Sequence, residues 1–379
     1  MRVTGIICEY NPLHLGHQKQ MDIIRAQRGQ DSAIVCLMSG DFVQRGHPAV
    51  ISKARRAEAA VRCGADLVLE LPVTAAVASA ERFAAEGVRL LSGFCDELCF
   101  GAENADEAVL MATAKALLSP EFSETLRGEL DKGLSFPAAR QAALTAMGID
   151  GGVLSSPNNI LAVEYCKAIL AQASPMKPFP IHRAGGYHDT AADPENPSAT
   201  ALRARMPEGD WAAYVPAEAA ECFRDAAVHT LAAGQRAILC KLRGMTDAEF
   251  ESLPYGSEGL WRKLMHAARR EATLEAVAEA VKSKRYTRTR IDRMILCAFL
   301  GLTAADLEIP APYARVLAFN DRGREILKTA RNVGDFPNIG EKQGHPFQLI
   351  EDRCDALYGL FCADAPESPD PKYRVYYHR

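Results

Sequence analysis

Two histidines near the N-terminus have the spacing of a phosphate-binding pair. His14 and His17 stand three residues apart around Gly16, in the string GIICEYNPLHLGH of residues 5–17. Side chains three apart share one face of a helical turn, and imidazoles donate hydrogen bonds to phosphoryl oxygens. Amides at a helix start favour phosphate too, and glycine lets a nucleotide approach the backbone. The pattern predicts an adenine-nucleotide pocket; the alternative is that both rings only cap a helix and pack locally.

Further polar residues stand where apolar segments end. Gln44, Arg45 and Lys53 follow the run SAIVCLM of residues 32–38, where they could meet phosphate or substrate; for the two cations a solvated surface position is the alternative. Arg183 follows FPIH, and a guanidinium fixed there could bind phosphate through two hydrogen bonds or stack on adenine.

Two other positions are candidates for ribose or base contacts. Gly101 ends a strand-like segment, so adenine or ribose could lie against its backbone, although a plain tight turn explains the glycine equally well. Asn158 and Asn159 follow Pro157 at a helix start. One asparagine can be the N-cap and the other can bond a nucleotide, for which we favour Asn158.

A basic stretch lies in the second half of the chain. Residues 284–293, KRYTRTRIDR, carry five positive charges and one negative charge. Such a patch can contact RNA phosphates, and an aromatic within it can stack on an unpaired base; a solvated helix face is the alternative. The candidate RNA contacts are Lys284, Arg285, Tyr286, Arg288, Arg290 and Arg293.

The elements that must position these residues alternate in the first half of the chain. Strands are predicted at residues 3–8, 32–38, 66–71 and 97–100, and helices at 17–28, 52–63, 79–92 and 105–118. This alternation predicts an α/β fold with a Rossmann-like, doubly wound parallel sheet. Ligands in that fold bind where strands end and helices begin.

The second half is predicted to be a mainly α-helical domain. Helical spacing runs through residues 217–242, 247–253, 258–283 and 289–300, while β-like pieces at 315–319 and 374–377 are expected to complete that domain. Residues 364–372 are predicted as a loop. We place the first domain at residues 1–210 and the second at 211–379.

Composition restricts the class of protein. A 379-residue chain with 48% hydrophobic and 24% charged residues is typical of a globular protein, and the net charge of −4 excludes a uniformly basic surface. We find no bilayer-length apolar run and no secretory leader, so a cytoplasmic location is expected. The eleven scattered cysteines fit reduced, buried thiols better than a zinc site or disulfides.

Longer strings carry a resemblance to a known family. EYNPLHLGH is followed by MSGDFVQRGHPAVISK at residues 38–53, DLVLELP at 66–72, FGAEN at 100–104 and SPNNILAVEY at 156–165. IHRAGGYHD at 181–189, SATALR at 198–203 and KRYTRTRIDR complete the set. Together they resemble the tRNA(Met) cytidine acetate ligases, within the HIGH-motif nucleotidyltransferase superfamily. The resemblance covers nearly the whole chain.

The resemblance implies a reaction in two steps. Acetate attacks the α-phosphate of ATP, giving acetyl-adenylate and pyrophosphate; the wobble cytidine amine of elongator tRNA(Met) then takes the acetyl group, leaving N4-acetylcytidine and AMP. Mg²⁺ is expected on the phosphates, and His14, His17 and Arg183 are the expected catalytic residues. Ser198, Thr200 and Arg203 resemble a second phosphate signature, with Ala199 replacing its usual second serine; a simple N-cap by Ser198 is the alternative. The expected ATP contacts are Ile7, Cys8, Glu9, Tyr10, Asn11, Pro12, Leu13, His14, Leu15, Gly16, His17, Gln18, Lys19, Gln20, Gly101, Asn158, Arg183, Ser198 and Thr200.

Two other functions compete with this one. An adenylyltransferase acting on a small phosphorylated substrate would share the His14–His17 site, but would not explain a basic helical domain. A non-catalytic RNA-binding protein with a nucleotidyltransferase-like fold would explain that domain, but not an intact histidine pair.

Overall fold

A seven-stranded sheet, parallel except at one strand pair, organises the chain. The computed structural model describes residues 1–183, 198–341, 344–363 and 374–379. The strand order is β7-β6-β1-β2-β5-β8-β9, and only β5 and β8 pair antiparallel; β3 and β4 form a separate hairpin. The strands are β1 Val3–Cys8, β2 Ala33–Ser39, β3 Phe42–Val43, β4 His47–Pro48, β5 Leu67–Leu71, β6 Glu97–Ala102, β7 Lys177–His182, β8 Val316–Phe319 and β9 Tyr376–Tyr377.

Helices cover both faces of the sheet and form most of the second half. Those before residue 210 are α1 Leu15–Arg28, α2 Lys53–Arg62, α3 Val73–Ala76, α4 Ala80–Leu91, α5 Glu107–Leu117, α6 Pro120–Asp131, α7 Phe136–Ala146, α8 Pro157–Ala171 and α9 Ala199–Arg205. Those after it are α10 Ala217–Phe223, α11 Leu231–Gly244, α12 Asp247–Glu251, α13 Leu260–Arg270, α14 Leu274–Val281, α15 Arg288–Leu300, α16 Ala304–Glu308, α17 Asp321–Ala330 and α18 Pro346–Tyr358.

The predicted α/β fold is confirmed, because the central strands are buried on both faces. Every residue of β2 and β5 is buried, as expected for a parallel sheet between two helical layers. One apolar core lies between the sheet and the α4–α8 side, and another between the sheet and the α1–α2 side. A third core lies within the helical region.

Two of the predicted long helices are each divided in two. The segment 217–242 becomes α10 and α11, and 258–283 becomes α13 and α14. Threonines begin the second helix of each pair: the Thr230 hydroxyl accepts from the amide of Ala233, and the Thr273 hydroxyl from that of Ala276. Threonine is a good N-cap. Each predicted helix was too long because its helical periodicity continues past an N-cap threonine at which a second helix begins.

The β pieces near the C-terminus are predicted to complete the helical domain, but the structure places them elsewhere. β8 pairs with β5, and β9 pairs with β8, so both extend the sheet of the first half. The chain therefore returns to the sheet of the first half after residue 315, while the division into residues 1–210 and 211–379 stays a prediction. The predicted loop at 364–372 lies outside the described residues.

A group of buried ionisable side chains, which we name the ionic cluster, joins these parts. Lys53 Nζ lies 2.9 Å from Glu70 Oε1 and 2.5 Å from Asp355 Oδ1, and Arg315 Nε lies 2.8 Å from Glu70 Oε2. Its members are Asp41, Lys53, Glu70, Arg315, Glu351 and Asp355. Lys53 is fully buried here, so it is neither the phosphate ligand nor the solvated charge that the sequence suggested.

Among the described residues, no helix is long and apolar enough to span a lipid bilayer.

Candidate nucleotide-binding site

A cavity of about 1010 Å³ opens at the carboxyl ends of β1, β6 and β7, the edge where this fold places its ligands. Its lining comes from both halves of the chain, including Thr289 and Arg293 of α15. The predicted nucleotide contacts that line it are Ile7, Cys8, Glu9, Tyr10, Asn11, His14, Gly16, His17, Lys19, Gln20, Gly101, Asn158, Arg183, Ser198 and Thr200.

Four residues of the predicted segment 7–20 do not line the cavity: Pro12, Leu13, Leu15 and Gln18. Leu13 has no exposed surface, and the Gln18 amide donates to Asp22 on the outside of α1 at 2.9 Å. A continuous stretch was predicted, but a loop entering a helix turns only part of its side chains toward one ligand.

The two histidines begin α1 and fix each other's orientation. His14 is the N-cap, and its Nδ1 accepts from the amide of Gly16 at 3.1 Å; the amide of His14 in turn donates to His17 Nδ1 at 3.2 Å. The rings stack with centroids 3.7 Å apart. Since each Nδ1 accepts, each neutral ring carries its proton on Nε2. Capping and ligand binding, considered above as alternatives, therefore use different nitrogens of the same rings.

The environment keeps both imidazoles neutral. Burial, and then the positive charges of Arg183 and Arg203, lower the pKa of His14 to about 3. Burial, His14 and Arg183 hold the pKa of His17 well below its usual value. Nε2 of His14 is buried without a hydrogen-bond partner among the described residues. A buried donor of this kind costs free energy until an acceptor arrives, so the site is prepared for a hydrogen-bond acceptor such as a phosphate oxygen.

The loop between β1 and α1 is held by the core beneath it. Asn11 Oδ1 accepts from the amide of Val50 at 2.7 Å, and the Tyr10 hydroxyl lies 3.3 Å from Cys36 Sγ. Arg56 donates to the carbonyl of Glu9 at 2.6 Å. These contacts place the helix start rigidly at the cavity.

On the β6–β7 side, Arg183 and Asn158 form a connected pair. The side-chain NH2 of Asn158 donates to Glu103 Oε1 at 2.7 Å. This contact turns the side-chain oxygen of Asn158 toward Arg183 Nη1, which donates to it at 3.4 Å. Asn159 is buried, and its oxygen accepts from the amide of Asn104. Only Asn158 of the two lines the cavity, which agrees with the preference given to it above.

The start of α9 contributes hydroxyl groups and a guanidinium. Ser198 and Thr200 line the cavity, and the Ser198 side chain makes no capping hydrogen bond. Arg203 donates to the Thr200 hydroxyl at 3.0 Å and to the carbonyl of Asn11 at 2.9 Å. Residues 184–197, which precede this helix and include part of the IHRAGGYHD string, lie outside the described residues.

Five arginines line the cavity. Arg140 is paired with Glu164, and the other four are Arg45, Arg183, Arg203 and Arg293. Burial lowers the pKa of each of these four. Within the part of the chain that the structure describes, no carboxylate lies in ion-pair contact with Arg183, Arg203 or Arg293. Partly desolvated positive charge of this density is stabilised by a bound polyanion.

The basic stretch at 284–293 does not form one uniform patch. Arg288 pairs with Glu275 and Asp292, and Arg285 lies 2.5 Å from Glu258 on the surface. The remaining members lie apart: Lys284 is exposed, Arg290 donates to the carbonyl of Tyr255, and Arg293 lines the cavity.

Tyr286 is not placed for stacking on a base. Its side chain packs in the helical core with 6% of its surface exposed, and its hydroxyl contacts Glu258. The aromatic ring within the basic string supplies apolar area to that core.

Sequence reasoning missed an apolar part of the lining. Phe83 comes from α4, Phe136 from α7, and Leu161 and Tyr165 from α8. Their spacing is that of ordinary core positions on amphipathic helices, so no local signal separates them from residues that face only protein.

The described residues offer no resident metal site. No group of three or more His, Cys, Asp or Glu side chains among them could hold a metal ion. Glu9, which lines the cavity, accepts from the amide of Gln44 at 2.9 Å.

Comparisons with known proteins agree with this geometry. Residues 1–364 match the family model described as HIGH Nucleotidyl Transferase. A tRNA(Met) cytidine acetate ligase of Acetivibrio thermocellus is 35% identical over 89% of this chain and 88% of its own length; one from Syntrophotalea carbinolica is 38% identical over 89% and 84%. The crystal structure of Thermotoga maritima TmcAL bound with alpha-thio ATP is 30% identical over the full length of both chains, with a TM-score of 0.89.

Proposed function

The chain belongs to the tRNA(Met) cytidine acetate ligases of the HIGH nucleotidyltransferase family, and on that premise we propose that it activates acetate with ATP and acetylates a cytidine of tRNA(Met). The observation that supports it most strongly is the convergence of the neutral histidine pair and five arginines on one cavity. The bound ATP analogue of the T. maritima relative supports the same nucleotide.

In the first step, an acetate oxygen attacks the α-phosphorus of ATP. The new bond is O–P, and the bond that breaks joins the α-phosphorus to the oxygen of the leaving pyrophosphate. We assign the Nε2–H groups of His14 and His17 to the phosphoryl oxygens, where charge develops. We assign Arg183 to the nucleotide, and Ser198, Thr200 and Arg203 to the departing pyrophosphate. Such catalysis needs alignment and charge stabilisation rather than a protein nucleophile.

In the second step, the exocyclic amine of the wobble cytidine attacks the acetyl carbonyl. The C–O bond to AMP breaks, the amine loses a proton, and N4-acetylcytidine remains. We assign the approach of the elongator tRNA(Met) to the helical half, where Lys284 and Arg285 are exposed and Arg288 and Arg290 are partly so.

A Mg²⁺ ion is assigned to the phosphates, where it offsets their charge.

The experiment that tests this function separates the two steps. Acetate should support exchange of labelled pyrophosphate into ATP without tRNA, and adding tRNA should yield N4-acetylcytidine and AMP in equal amounts by nucleoside mass analysis. Exchange that requires a phosphorylated small molecule, and not acetate, would instead identify an adenylyltransferase. No turnover under any condition would support a binding protein.

A further inference from the structure

The end of the cavity farthest from Arg183 along the sheet edge has no role in the steps above. The strand order β7-β6-β1-β2-β5 spreads the lining along that edge. Arg183 and Gly101 stand at β7 and β6, and the histidines follow β1. Gln44 and Arg45 lie beyond β2, in the turn of the β3–β4 hairpin. The nucleotide-binding groups thus occupy one half of the cavity, and a different set of groups occupies the other.

Arg293 of α15 is the charged group that the helical half contributes to this end. Its guanidinium lies 5.0 Å from the ring centroid of Tyr255, and its Nη1 lies 3.5 Å from the carbonyl of Gln44. Its Nε is buried and has no hydrogen-bond partner within the described part of the chain. Thr289, one helical turn earlier on α15, also lines the cavity.

Short contacts hold these surroundings together. The Gln44 amide donates to the carbonyl of Ala78 at 3.3 Å, and the Tyr255 hydroxyl donates to that of Val77 at 3.1 Å. Both carbonyls precede α4, whose Ala80 and Phe83 line the cavity with apolar surface. A guanidinium and a small apolar wall therefore belong to one end of the cavity.

We propose that Arg293 binds the carboxylate of the acid substrate, with Ala80 and Phe83 beside its short apolar tail. A guanidinium matches the geometry of a carboxylate. It also offsets the repulsion that an acetate anion meets as it approaches the phosphates of ATP. The acid enters from the β2–β5 side and the nucleotide from the β6–β7 side, so the attacking oxygen and the α-phosphate meet near the histidines. Arg293 thus serves the first step, unlike the RNA-contact role that the sequence suggested for it.

This inference rests on the proposed function and is tested with acetate-dependent pyrophosphate exchange in the absence of tRNA. In the full-length Arg293→Gln enzyme, the KM for acetate should rise about 10- to 100-fold, as for a lost charge-assisted hydrogen bond, with the KM for ATP nearly unchanged. Arg293→Lys, which keeps the charge but not the planar fork, should show a smaller rise.

Arg262→Gln is the matched control, since Arg262 is an exposed arginine of the same helical half that lies over Trp261 outside the cavity. It should leave both KM values unchanged. An unchanged KM for acetate in Arg293→Gln, with slower transfer to tRNA, would overturn the inference in favour of an RNA contact. A raised KM for ATP would overturn it in favour of a phosphate ligand. Absence of exchange in the unmodified enzyme would count against the proposed function itself.

Discussion

At the residue scale, the histidine pair shows how one side chain serves both fold and site. His14 uses Nδ1 to cap α1, and its buried Nε2 has no hydrogen-bond partner among the described residues. The cap selects the Nε2–H tautomer before any ligand binds, so no rearrangement of the ring is needed when phosphate arrives. The three-residue spacing predicted the pair. Which ring nitrogen caps the helix and which is left for a ligand depends on backbone hydrogen bonds, and the spacing does not encode these.

Substitution of His14 separates these two functions. Asparagine is a good N-cap and alanine is a poor one; neither supplies the Nε2–H donor. Both His14→Asn and His14→Ala should slow acetate-dependent adenylate formation by about 10²–10³-fold. Only His14→Ala should also lower the free energy of unfolding, by about 1 kcal/mol.

Pyrophosphate exchange and urea unfolding of the two variants measure these effects. An active His14→Asn enzyme would show that Nε2 makes no contact with the transition state. Equal destabilisation of both variants would show that the cap contributes little.

At the element scale, a close backbone contact joins the hairpin turn to α15. Gly46 has a φ of 83°, and a Cβ added there would lie 2.5 Å from the backbone of Asp292 and Arg293. This contact fixes Gln44 and Arg45 relative to Arg293, so the hairpin and the helix together shape one end of the cavity.

Gly46→Ala should therefore affect both stability and activity. The strained φ costs about 1–2 kcal/mol, and the overlap with backbone costs about 1–3 kcal/mol more. Because the hairpin must shift, adenylate formation should also fall.

Gly29→Ala provides the comparison. Gly29 also has a positive φ, of 90°, but has nothing within 4 Å of an added Cβ, so that variant should show the strain alone and normal activity. Thermal unfolding and pyrophosphate exchange of both proteins test this. Equal losses of stability in Gly46→Ala and Gly29→Ala would mean that the hairpin moves away from α15 at no cost in free energy.

The elements themselves were largely predictable, whereas their long-range partners were not. Alternating apolar runs and helical periodicity located β1, β2, β5 and β6 and the helices between them, because burial on both sheet faces leaves a local pattern. The pairing of β8 with β5 connects segments far apart in sequence. The positions of Tyr286 and Arg293, one in the core and one in the cavity, depend on tertiary packing that a run of basic residues does not reveal.

At the scale of the whole molecule, the ionic cluster links the sheet to α2 and α18. It contains four carboxylates and two cations. Burial and the neighbouring charges of Glu70 and Asp355 raise the pKa of Glu351 to about 8, against the opposing effect of Arg315 and Lys53. We therefore expect Glu351 to be protonated in the folded protein at neutral pH.

The contribution of Glu351 to the stability of the protein should consequently fall as the pH rises. Between the usual glutamate pKa and about 8, the folded state holds a proton that the unfolded state has lost, so each pH unit costs up to about 1.4 kcal/mol. Glu351→Gln removes this dependence, and its stability relative to the unmodified protein should increase from pH 5 to pH 8.

Urea unfolding at several pH values measures the effect, with Glu325→Gln, an exposed residue of α17 paired with Lys328, as the control. The control should parallel the unmodified protein at every pH. An unchanged slope in Glu351→Gln would mean that Glu351 is ionised in the folded state.

The position of β8 in the chain also sets an order for synthesis on the ribosome. β5 emerges early, but its antiparallel partner at Val316–Phe319 follows only after most of the helical region. At about 5–20 residues per second, that interval lasts roughly ten to fifty seconds. During it the nascent catalytic sheet presents an open edge, the kind of surface that recruits wrong strands. The half of the enzyme that binds the nucleotide is thus translated first and completed almost last.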